Sequence, residues 1–320
     1  MSREISMHSF HTPDPVKLRV ELWQGRVTVL ASETGAATVE LTALLGDSHA
    51  QELIDQATVE QRGDEIVVLL PRPRRRLFQI RGGVRAVIKL PTGSDVLVHT
   101  GSADLETKGW LGRVSAHGGS GDVDLEHVAR CEVQTGSGDI EIGTVDTDCD
   151  ARGGSADISI KRIGGDAELV TGSGDIVVGE ITGSLKAKTA SGDVEVNRAG
   201  HADLTSVSGD IEAGEITGEF RAVTGSGDVT VRQAGDTVDA TAGSGDLSVK
   251  RVDHGRVRAK TASGDITVGV AHGASAYLDV STVTGDVKSA LDASEPPGEG
   301  EPQVELFIQA VTGDVVLRRA

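Results

Sequence analysis

The sequence predicts an all-β protein, a β-solenoid in which successive coils of one chain stack on each other. Three observations predict it. A Ser-Gly-Asp motif recurs at almost constant spacing, residues on either side of each copy alternate between apolar and polar, and large rings are scarce. Four Phe, two Trp and one Tyr in 320 residues cannot fill a wide core, whereas Val, Ile, Leu and Ala suit the narrow core of stacked coils.

The Ser-Gly-Asp motif sets the period of the repeat. An aliphatic residue follows each copy, and consecutive motif aspartates are 17 to 19 residues apart. Such self-similarity is typical of a repeat architecture, and it predicts about ten coils of about 18 residues each. Weaker copies end at Asp104, Asp286 and Asp314. The motif aspartates are Asp122, Asp139, Asp157 (in the variant Ser155-Ala156-Asp157), Asp175, Asp193, Asp210, Asp228, Asp246 and Asp265.

Each coil is predicted to contain two strands joined by glycine-containing corners. After the aspartate, apolar and polar residues alternate, as in Ile140-Glu141-Ile142, which indicates a strand with one buried face. A second strand precedes the aspartate, with apolar residues eight and six positions before it, such as Leu185 and Ala187. At the corner we expect glycine to supply positive φ, and the Ser and Asp side chains to accept nearby backbone N–H groups in the turn.

The first part of the chain differs from the repeat. Residues 1–92 lack the motif and alternate in short strands. A short helix is predicted within them, opened by Ser48 with Gln51 three residues later as a capping box. We therefore expect an N-terminal β-rich cap over 1–92 and the β-solenoid over 93–291.

The last part of the chain is predicted to be a polar loop over 292–303 and terminal strands over 304–320. A solenoid end exposes unpaired strand edges unless something caps it. We expect the strands near Phe307 and Val315 to lie at such an end. This predicts weak end-to-end self-association.

The charge balance excludes some partners. A net charge of −18 disfavours nucleic acid and anionic membranes, because like charges repel. No stretch approaches the 18 apolar residues of a membrane-spanning helix, and the first residues lack the apolar region of a signal peptide. Two Cys do not make a disulfide framework. The sequence predicts a cytoplasmic protein whose protein or glycan partner it does not name.

The repeat also carries a family resemblance. The Ser-Gly-Asp-aliphatic copies, the early alternating strands and the entry Pro91-Thr92-Gly93-Ser94-Asp95 resemble the bacterial β-strand-repeat family labelled "putative adhesin", a family of unknown function. The resemblance covers roughly residues 10–320. Through the related head-GIN adhesin-like proteins it implies a single-stranded right-handed β-helix, and the handedness rests on it alone. It implies no established activity, and favours a non-catalytic, adhesin-like structural or binding role.

The column of motif aspartates is the strongest candidate for chemistry. Stacked carboxylates could hold Ca²⁺, which prefers oxygen ligands, and this would make the chain a Ca-binding repeat protein. The calcium-binding nonapeptide repeat separates its Gly and Asp and has a period of nine, whereas here Asp follows Gly directly at about twice that period. An Asp that caps its own corner is therefore favoured over a metal ligand.

A glycan-active β-helix enzyme, a polysaccharide lyase or hydrolase, is the main alternative function. It would need a walled groove with paired carboxylates and often a basic residue, but these coils are short, uniform and poor in aromatic sugar platforms. A hexapeptide acyltransferase is disfavoured because no aliphatic column recurs every six residues. The nine His residues lack metal-ligand spacing. The sequence predicts no catalytic, cofactor-binding or metal-binding residues and no cofactor.

Two further motifs have structural explanations. An arginine run in an acidic chain could bind an acidic partner, but a solvated loop or pairing with the protein's own carboxylates is favoured. The tripeptide Arg62-Gly63-Asp64 spells a cell-attachment sequence and is better explained by a hairpin turn before Ile66. The run comprises Arg72, Arg74, Arg75, Arg76, Arg81 and Arg85.

The two cysteines occupy equivalent positions in the repeat. Cys131 and Cys149 each lie eight residues before a motif aspartate, in a column that is otherwise apolar. They should stack in adjacent coils with their Cα atoms about 4.8 Å apart. Side chains stacked in parallel do not match the dihedral angle of a disulfide. We expect two buried, reduced thiols that fill the core.

Overall fold

The computed structural model describes residues 5–44, 48–72, 83–291 and 302–320. The side chain of Ser48, on which the predicted capping box depends, is not among the described features, and parts of the arginine run and of the polar loop also lie outside the described residues. Those parts are Arg74, Arg75, Arg76, Arg81 and residues 292–301.

The chain is all-β and divides into two compact units, unit 1 (Met1–Ile163) and unit 2 (Gly164–Ala320). The described residues of unit 1 form eleven strands and one helix. They are β1 (Ile5–His11), β2 (Lys17–Ser32), β3 (Ala36–Ala43), α1 (Ser48–Asp55), β4 (Thr58–Arg62), β5 (Glu65–Leu69), β6 (Val84–Pro91), β7 (Asp95–His117), β8 (Val123–Thr135), β9 (Ile140–Val145), β10 (Cys149–Gly153) and β11 (Ile158–Ile163).

The described residues of unit 2 form only strands. They are β12 (Ala167–Thr171), β13 (Ile176–Thr189), β14 (Val194–Ser206), β15 (Ile211–Ile216), β16 (Phe220–Ser226), β17 (Val229–Ala234), β18 (Val238–Ser244), β19 (Leu247–Val252), β20 (Gly255–Ser263), β21 (Ile266–Val270), β22 (Ser275–Thr284), β23 (Val287–Ser289), β24 (Gln303–Thr312) and β25 (Val315–Arg319).

Parallel pairing between successive coils builds unit 1; a coil here is a stretch of chain that returns to pair with the equivalent stretch before it. β2 pairs in parallel with β7, β7 with β8, and β8 with β9 and β10. On the other side of β2, β5 and β6 also pair in parallel with it. Residues of one type therefore come to lie beside residues of the same type in the next coil.

Antiparallel strands close the N-terminal side of unit 1. β3 pairs antiparallel with β6, β1 with β3, and β4 with β5. The predicted helix is confirmed as α1, which packs against β3 and buries Ala50 and Ile54. In the described part of the chain no helix has the length and apolar character to cross a bilayer.

Unit 2 repeats the parallel pairing until its last coils, where the order in space departs from the order in sequence. β24 pairs with β20 on one side and β22 on the other. β25 likewise lies between β21 and β23. The expectation that the strands near Phe307 and Val315 form the open end is therefore wrong: they are inserted between two coils, and β22 and β23 are outermost. The burial agrees with this order: Leu306 and Val315 on the inserted strands are fully buried, whereas their register partners on the outermost strands, Leu278 and Val287, are exposed.

The alternation seen in the sequence decides which side chains fill the core. Ile140 and Ile142 are buried while Glu141 between them is exposed. Phe220 is the largest fully buried side chain among the described residues, and Ala222, two residues on, faces the same interior. The predicted buried face of each strand is confirmed at these positions.

Candidate functional site

The motif aspartates join neighbouring coils. In unit 2 the backbone N–H of Asp210 donates to Oδ1 of Asp193 at 2.8 Å, and the N–H of Asp228 donates to Oδ1 of Asp210 at 2.8 Å. In unit 1 the N–H of Asp139 donates to Oδ1 of Asp122 at 3.1 Å. The prediction that each Asp accepts a backbone N–H group of its own corner is therefore wrong. The carboxylate does accept a backbone N–H group, but the group belongs to the next coil.

The motif glycines fit the same close contact. A Cβ added to Gly192 would overlap the carbonyl oxygen of Gly174, and one added to Gly209 would overlap that of Gly192. Neither Gly192 nor Gly209 has a left-handed φ, although Gly245 does, at 154°. The close approach of two backbones therefore requires glycine at these positions. Positive φ, the reason expected from the sequence, does not apply at Gly192 and Gly209.

A column of buried hydroxyls lies beside the aspartates and was not found from the sequence. The hydroxyl of Thr189 donates to the carbonyl oxygen of Gly174 at 3.0 Å, and that of Ser206 donates to Gly192 at 3.0 Å. Thr224 repeats the contact one coil later with Gly209. The signal was present, because a Thr or Ser recurs four residues before most motif aspartates.

Three carboxylates stand side by side on the surface of unit 1. Asp124 lies in register between Glu106 and Glu141 of the neighbouring coils. Partial burial, followed by repulsion from Glu141 and Glu106, raises the pKa of Asp124 above its ordinary value. Lys108 pairs with Glu106 at 2.8 Å. Among the described residues, no group of three or more His, Cys, Asp and Glu side chains is placed to hold a metal ion.

A hollow of about 460 Å³ opens on unit 1 beside Trp23. The guanidinium of Arg72 lies 4.1 Å above the indole ring of Trp23, whose Nε1–H donates to the carbonyl oxygen of Leu70 at 3.2 Å. The rings of His99 and His117 stack with their centroids 5.2 Å apart and an angle of 11° between their planes. These two histidines lack metal-ligand spacing, yet they are 18 residues apart, which is one period of the repeat.

The position of His99 in this stack affects its protonation. Burial and then the neighbouring His117 lower the pKa of His99. Nδ1 of His99 and Nδ1 of His117 are both buried without a hydrogen-bond partner among the described residues. The ring of His99 is therefore neutral at pH 7, since its ordinary pKa is already near 6.5.

A His and Asp pair lies elsewhere on unit 1. Nε2 of His127 lies 2.8 Å from Oδ1 of Asp146, and Nε1–H of Trp110 donates to Oδ2 of the same carboxylate at 2.9 Å. These bonds, with the one to His127 first, lower the pKa of Asp146. His127 and Asp146 meet only because neighbouring coils lie side by side, so their spacing in the sequence does not reveal the pair.

The remaining sequence motifs take structural positions. Arg62 and Glu65 are register partners in the β4–β5 hairpin, and Gly63 has φ of 65° in its turn, so the predicted hairpin turn is confirmed. Of the arginine run, Arg72 lies over Trp23 and Arg85 is exposed on β6.

The two cysteines are stacked as predicted. Cys131 and Cys149 are register partners on β8 and β10, both buried and free, with their sulfur atoms 2.8 Å apart. The hydrogen bond to the Cys131 thiol, and then burial, raise the pKa of Cys149. A thiol whose pKa is raised holds little thiolate at neutral pH and is a weak nucleophile.

Large apolar side chains are exposed on the outermost coil of unit 2. Leu278 and Val287 occupy columns that are buried in the preceding coils, yet they are 40% and 48% exposed. Val283 on the same coil is 81% exposed. Exposed apolar area is typical of interaction surfaces in soluble proteins.

Parallel coils joined by backbone and aspartate bonds define an all-β repeat protein. The chain belongs to the family described as Toastrack DUF4097, whose model matches residues 58–230 and 217–318. Membership of a family of unknown function is thus confirmed, whereas the adhesin label and the link to head-GIN proteins stay predictions. A search of the curated proteins found no match.

Several solved structures are similar to this chain. A "putative adhesin" from Parabacteroides distasonis is 12% identical with a TM-score of 0.43, over 82% of this chain and 97% of that one. A "putative lipid binding protein" from the same organism is 13% identical with a TM-score of 0.42, over 80% and 96%. A "putative adhesin" from Bacteroides fragilis is 16% identical with a TM-score of 0.37, over 81% and 98%.

Proposed function

We propose that the chain is a non-catalytic binding module, a β-solenoid that holds a protein or glycan partner on its surface. The observation that carries the proposal is the use of the motif carboxylates. Oδ1 of Asp193, Asp210 and Asp228 each accepts a backbone N–H group from the next coil. The most repeated acidic group of the chain therefore serves the scaffold, as expected of a repeat whose columns hold the stack together.

Two other classes compete with this proposal. A glycan-active enzyme would cleave a polysaccharide, and a Ca-binding repeat protein would be stabilised by the ion. The experiment is a panel of acidic and neutral polysaccharides incubated with the full chain, with binding and chain cleavage measured in the same samples. We expect no cleavage. New reducing ends or unsaturated products would contradict the proposal, and so would a melting temperature that rises by several degrees in millimolar Ca²⁺ and falls back on Asp193→Asn.

The outermost coil of unit 2 favours a second copy of this chain as one partner. β22 has one strand partner, β24, among the described residues, so its other edge offers backbone groups that pair with an identical edge. Val283 and Leu278 add apolar area to that edge. The association is weak, and it occurs between two such edges.

Sedimentation at rising concentration tests this association. We expect the sedimentation coefficient to rise with concentration for the natural chain and to stay constant for Val283→Lys. Val177→Lys is the matched control, because Val177 is also an exposed apolar residue of unit 2 but lies on β13. A natural chain that stays monomeric at high concentration would contradict the association.

The finer geometry of the fold is also part of the proposal: a single-stranded right-handed β-helix with about 18 residues per coil. It is supported by parallel register pairs such as Phe220 with Val238. Deleting residues 211–228 joins Asp210 to Val229 and should preserve a cooperative fold, since one whole coil is removed. Deleting residues 211–219 should abolish it. Equal damage from both deletions would contradict the period, and a crystal structure reads the hand directly.

A cytoplasmic location completes the proposal. The low cysteine content supports it, because two Cys in 320 residues make no disulfide framework of the kind that staples many secreted domains. Alkylation of the denatured protein directly from host cells should modify both cysteines. A disulfide recovered from cells would contradict the location.

A further inference from the structure

The hollow beside Trp23 in unit 1 differs in charge from the chain as a whole, which is strongly acidic. Its volume of about 460 Å³ lies within the range of small-molecule sites. None of the described residues that line it is Asp or Glu, although the chain contains 49 of them. The lining offers hydrogen-bond donors from Arg72, His99, His117 and Gln134.

The two imidazoles each have one nitrogen left for a ligand. A neutral imidazole carries one N–H donor and one acceptor. A buried donor without a partner is costly, and Nδ1 of His99 and of His117 is buried and unpartnered among the described residues. A proton on Nε2 of each ring avoids such a buried, unpartnered donor at Nδ1. Both histidines line the hollow, so each offers it an Nε2–H group.

Arg72 brings a fixed positive charge to the same place. Its guanidinium lies 4.1 Å over the Trp23 ring, and the indole is itself held by the hydrogen bond to Leu70. Stacking on an aromatic face restrains the guanidinium, whose N–H groups have no hydrogen-bond acceptor among the described residues and can form a fork for an oxyanion.

We propose that this hollow binds a small organic anion whose acidic group accepts hydrogen bonds from Arg72 and from the Nε2–H groups of His99 and His117. A carboxylate on a ring, as in an acidic sugar or an aromatic acid, matches the planar guanidinium fork. Gln134, the register partner of His117, provides a further polar contact for the ring substituents. Binding of a small anion goes beyond the proposed binding of a protein or glycan partner. It also does not depend on self-association through the outermost coil of unit 2.

The affinity should rise as the pH falls. The groups that face His99 are His117 on its own strand and Glu21 and Arg19 on β2, with Glu21 in register beside it. Glu21 is engaged by Arg19 at 2.7 Å, which limits its repulsion of a bound anion. Protonation of His99 adds positive charge beside the anion, so binding strengthens as the pH falls through the lowered pKa of that imidazole.

Fluorescence of Trp23 reports on the site directly. In a Trp110→Phe background Trp23 is the single tryptophan of the full chain. Glucuronate, benzoate and neutral glucose are titrated into it, and calorimetry on the natural chain checks that the background substitution is silent. We expect one of the two anions to bind and glucose not to bind. Arg72→Gln should weaken binding about tenfold or more, and His117→Gln should also weaken it. His99→Gln should weaken it and flatten its pH dependence. Arg113→Gln, an exposed arginine outside the hollow, should change it less than about twofold.

The titrations decide whether the hollow binds an organic anion. Binding of glucuronate alone assigns an acidic sugar, and binding of benzoate alone assigns an aromatic acid; both support the site. Absence of binding of both anions at about 10 mM, equal binding of glucose, or an unchanged affinity in Arg72→Gln overturns it. If Arg72→Gln fails to fold, His117→Gln in the same titration takes its place, and unchanged affinity there is equally fatal.

Discussion

The backbone N–H of Asp314 donates to Oδ1 of Asp265 at 2.8 Å, although 49 residues separate them in the chain. Asp286, which comes between them in sequence, instead donates its N–H to Oδ1 of Asp314 at 2.9 Å. The aspartate column of unit 2 therefore continues through the C-terminal strands before it reaches its last member. Each motif aspartate therefore bonds to the aspartate beside it in the stack, even where that residue is not the next motif copy along the chain.

Charge neighbours on the coil surface should give two aspartates opposite effects on stability. Asp124 lies between Glu106 and Glu141, whereas Asp203 lies between Lys186 and Arg221. Like charges side by side destabilise and opposite charges stabilise, each by up to about 1 kcal/mol. We expect Asp124→Asn to raise the free energy of unfolding at pH 7 and Asp203→Asn to lower it, as measured by urea denaturation.

The pH dependence of the Asp124 effect follows from its pKa. Because the pKa of Asp124 is raised in the folded state, the folded chain binds more protons than the unfolded chain as the carboxyl titrates. The natural chain therefore gains stability as pH falls through that raised pKa, down to the unfolded value near 3.9. The advantage of Asp124→Asn should shrink over that range. An advantage that grows on acidification would contradict the like-charge account.

Glycine at the motif corner should be intolerant of any side chain. In Gly192→Ala the new Cβ would overlap the carbonyl oxygen of Gly174, which is backbone and cannot turn away. We expect a loss of about 2 kcal/mol or more in the free energy of unfolding. Gly35→Ala is the matched control, since a Cβ there meets no atom within 4 Å, and it should be neutral or slightly stabilising. Equal melting temperatures for the two variants would refute the close approach of the coils.

The buried cysteines should react slowly with thiol reagents. Cys149 has a raised pKa and both sulfur atoms are buried, so little thiolate is accessible at pH 7. We expect two thiols to titrate rapidly in denaturant and neither to do so in the folded chain. Rapid reaction of the native protein would place the Cys131 column on the surface and would overturn the register of β8 and β10.

The sequence predicts the interior of this protein better than its contacts between coils. Period-two alternation identifies buried positions such as Ile140 and Ile142, because a strand with one face in a core leaves no other arrangement. The stacking of Cys131 on Cys149 follows from the same period. An Asp in a corner, by contrast, has the same local sequence whether it accepts a bond from its own turn or from the next coil.

The order of the last coils and the hollow depend on tertiary structure in the same way. The motif copies ending at Asp286 and Asp314 look equivalent, so nothing local indicates that β24 is inserted beside β20. The 18-residue spacing of His99 and His117 did carry a signal, which metal-ligand spacing rules do not detect. Trp23 and Arg72 join them only through the pairing of β2 with β7 and the chain that follows β5.

A comparison of two members of one column tests whether the motif aspartates hold neighbouring coils together. Oδ1 of Asp210 accepts the N–H of Asp228, whereas Asp286 is the last member of the column among the described residues of unit 2. The measurement is the free energy of unfolding, by urea denaturation at pH 7, of Asp210→Ala and Asp286→Ala against the natural chain. We predict a loss of about 1 kcal/mol for Asp210→Ala, a smaller loss for Asp210→Asn, which keeps an acceptor oxygen, and almost none for Asp286→Ala. Equal losses at Asp210 and Asp286, or no loss at Asp210, would contradict the account.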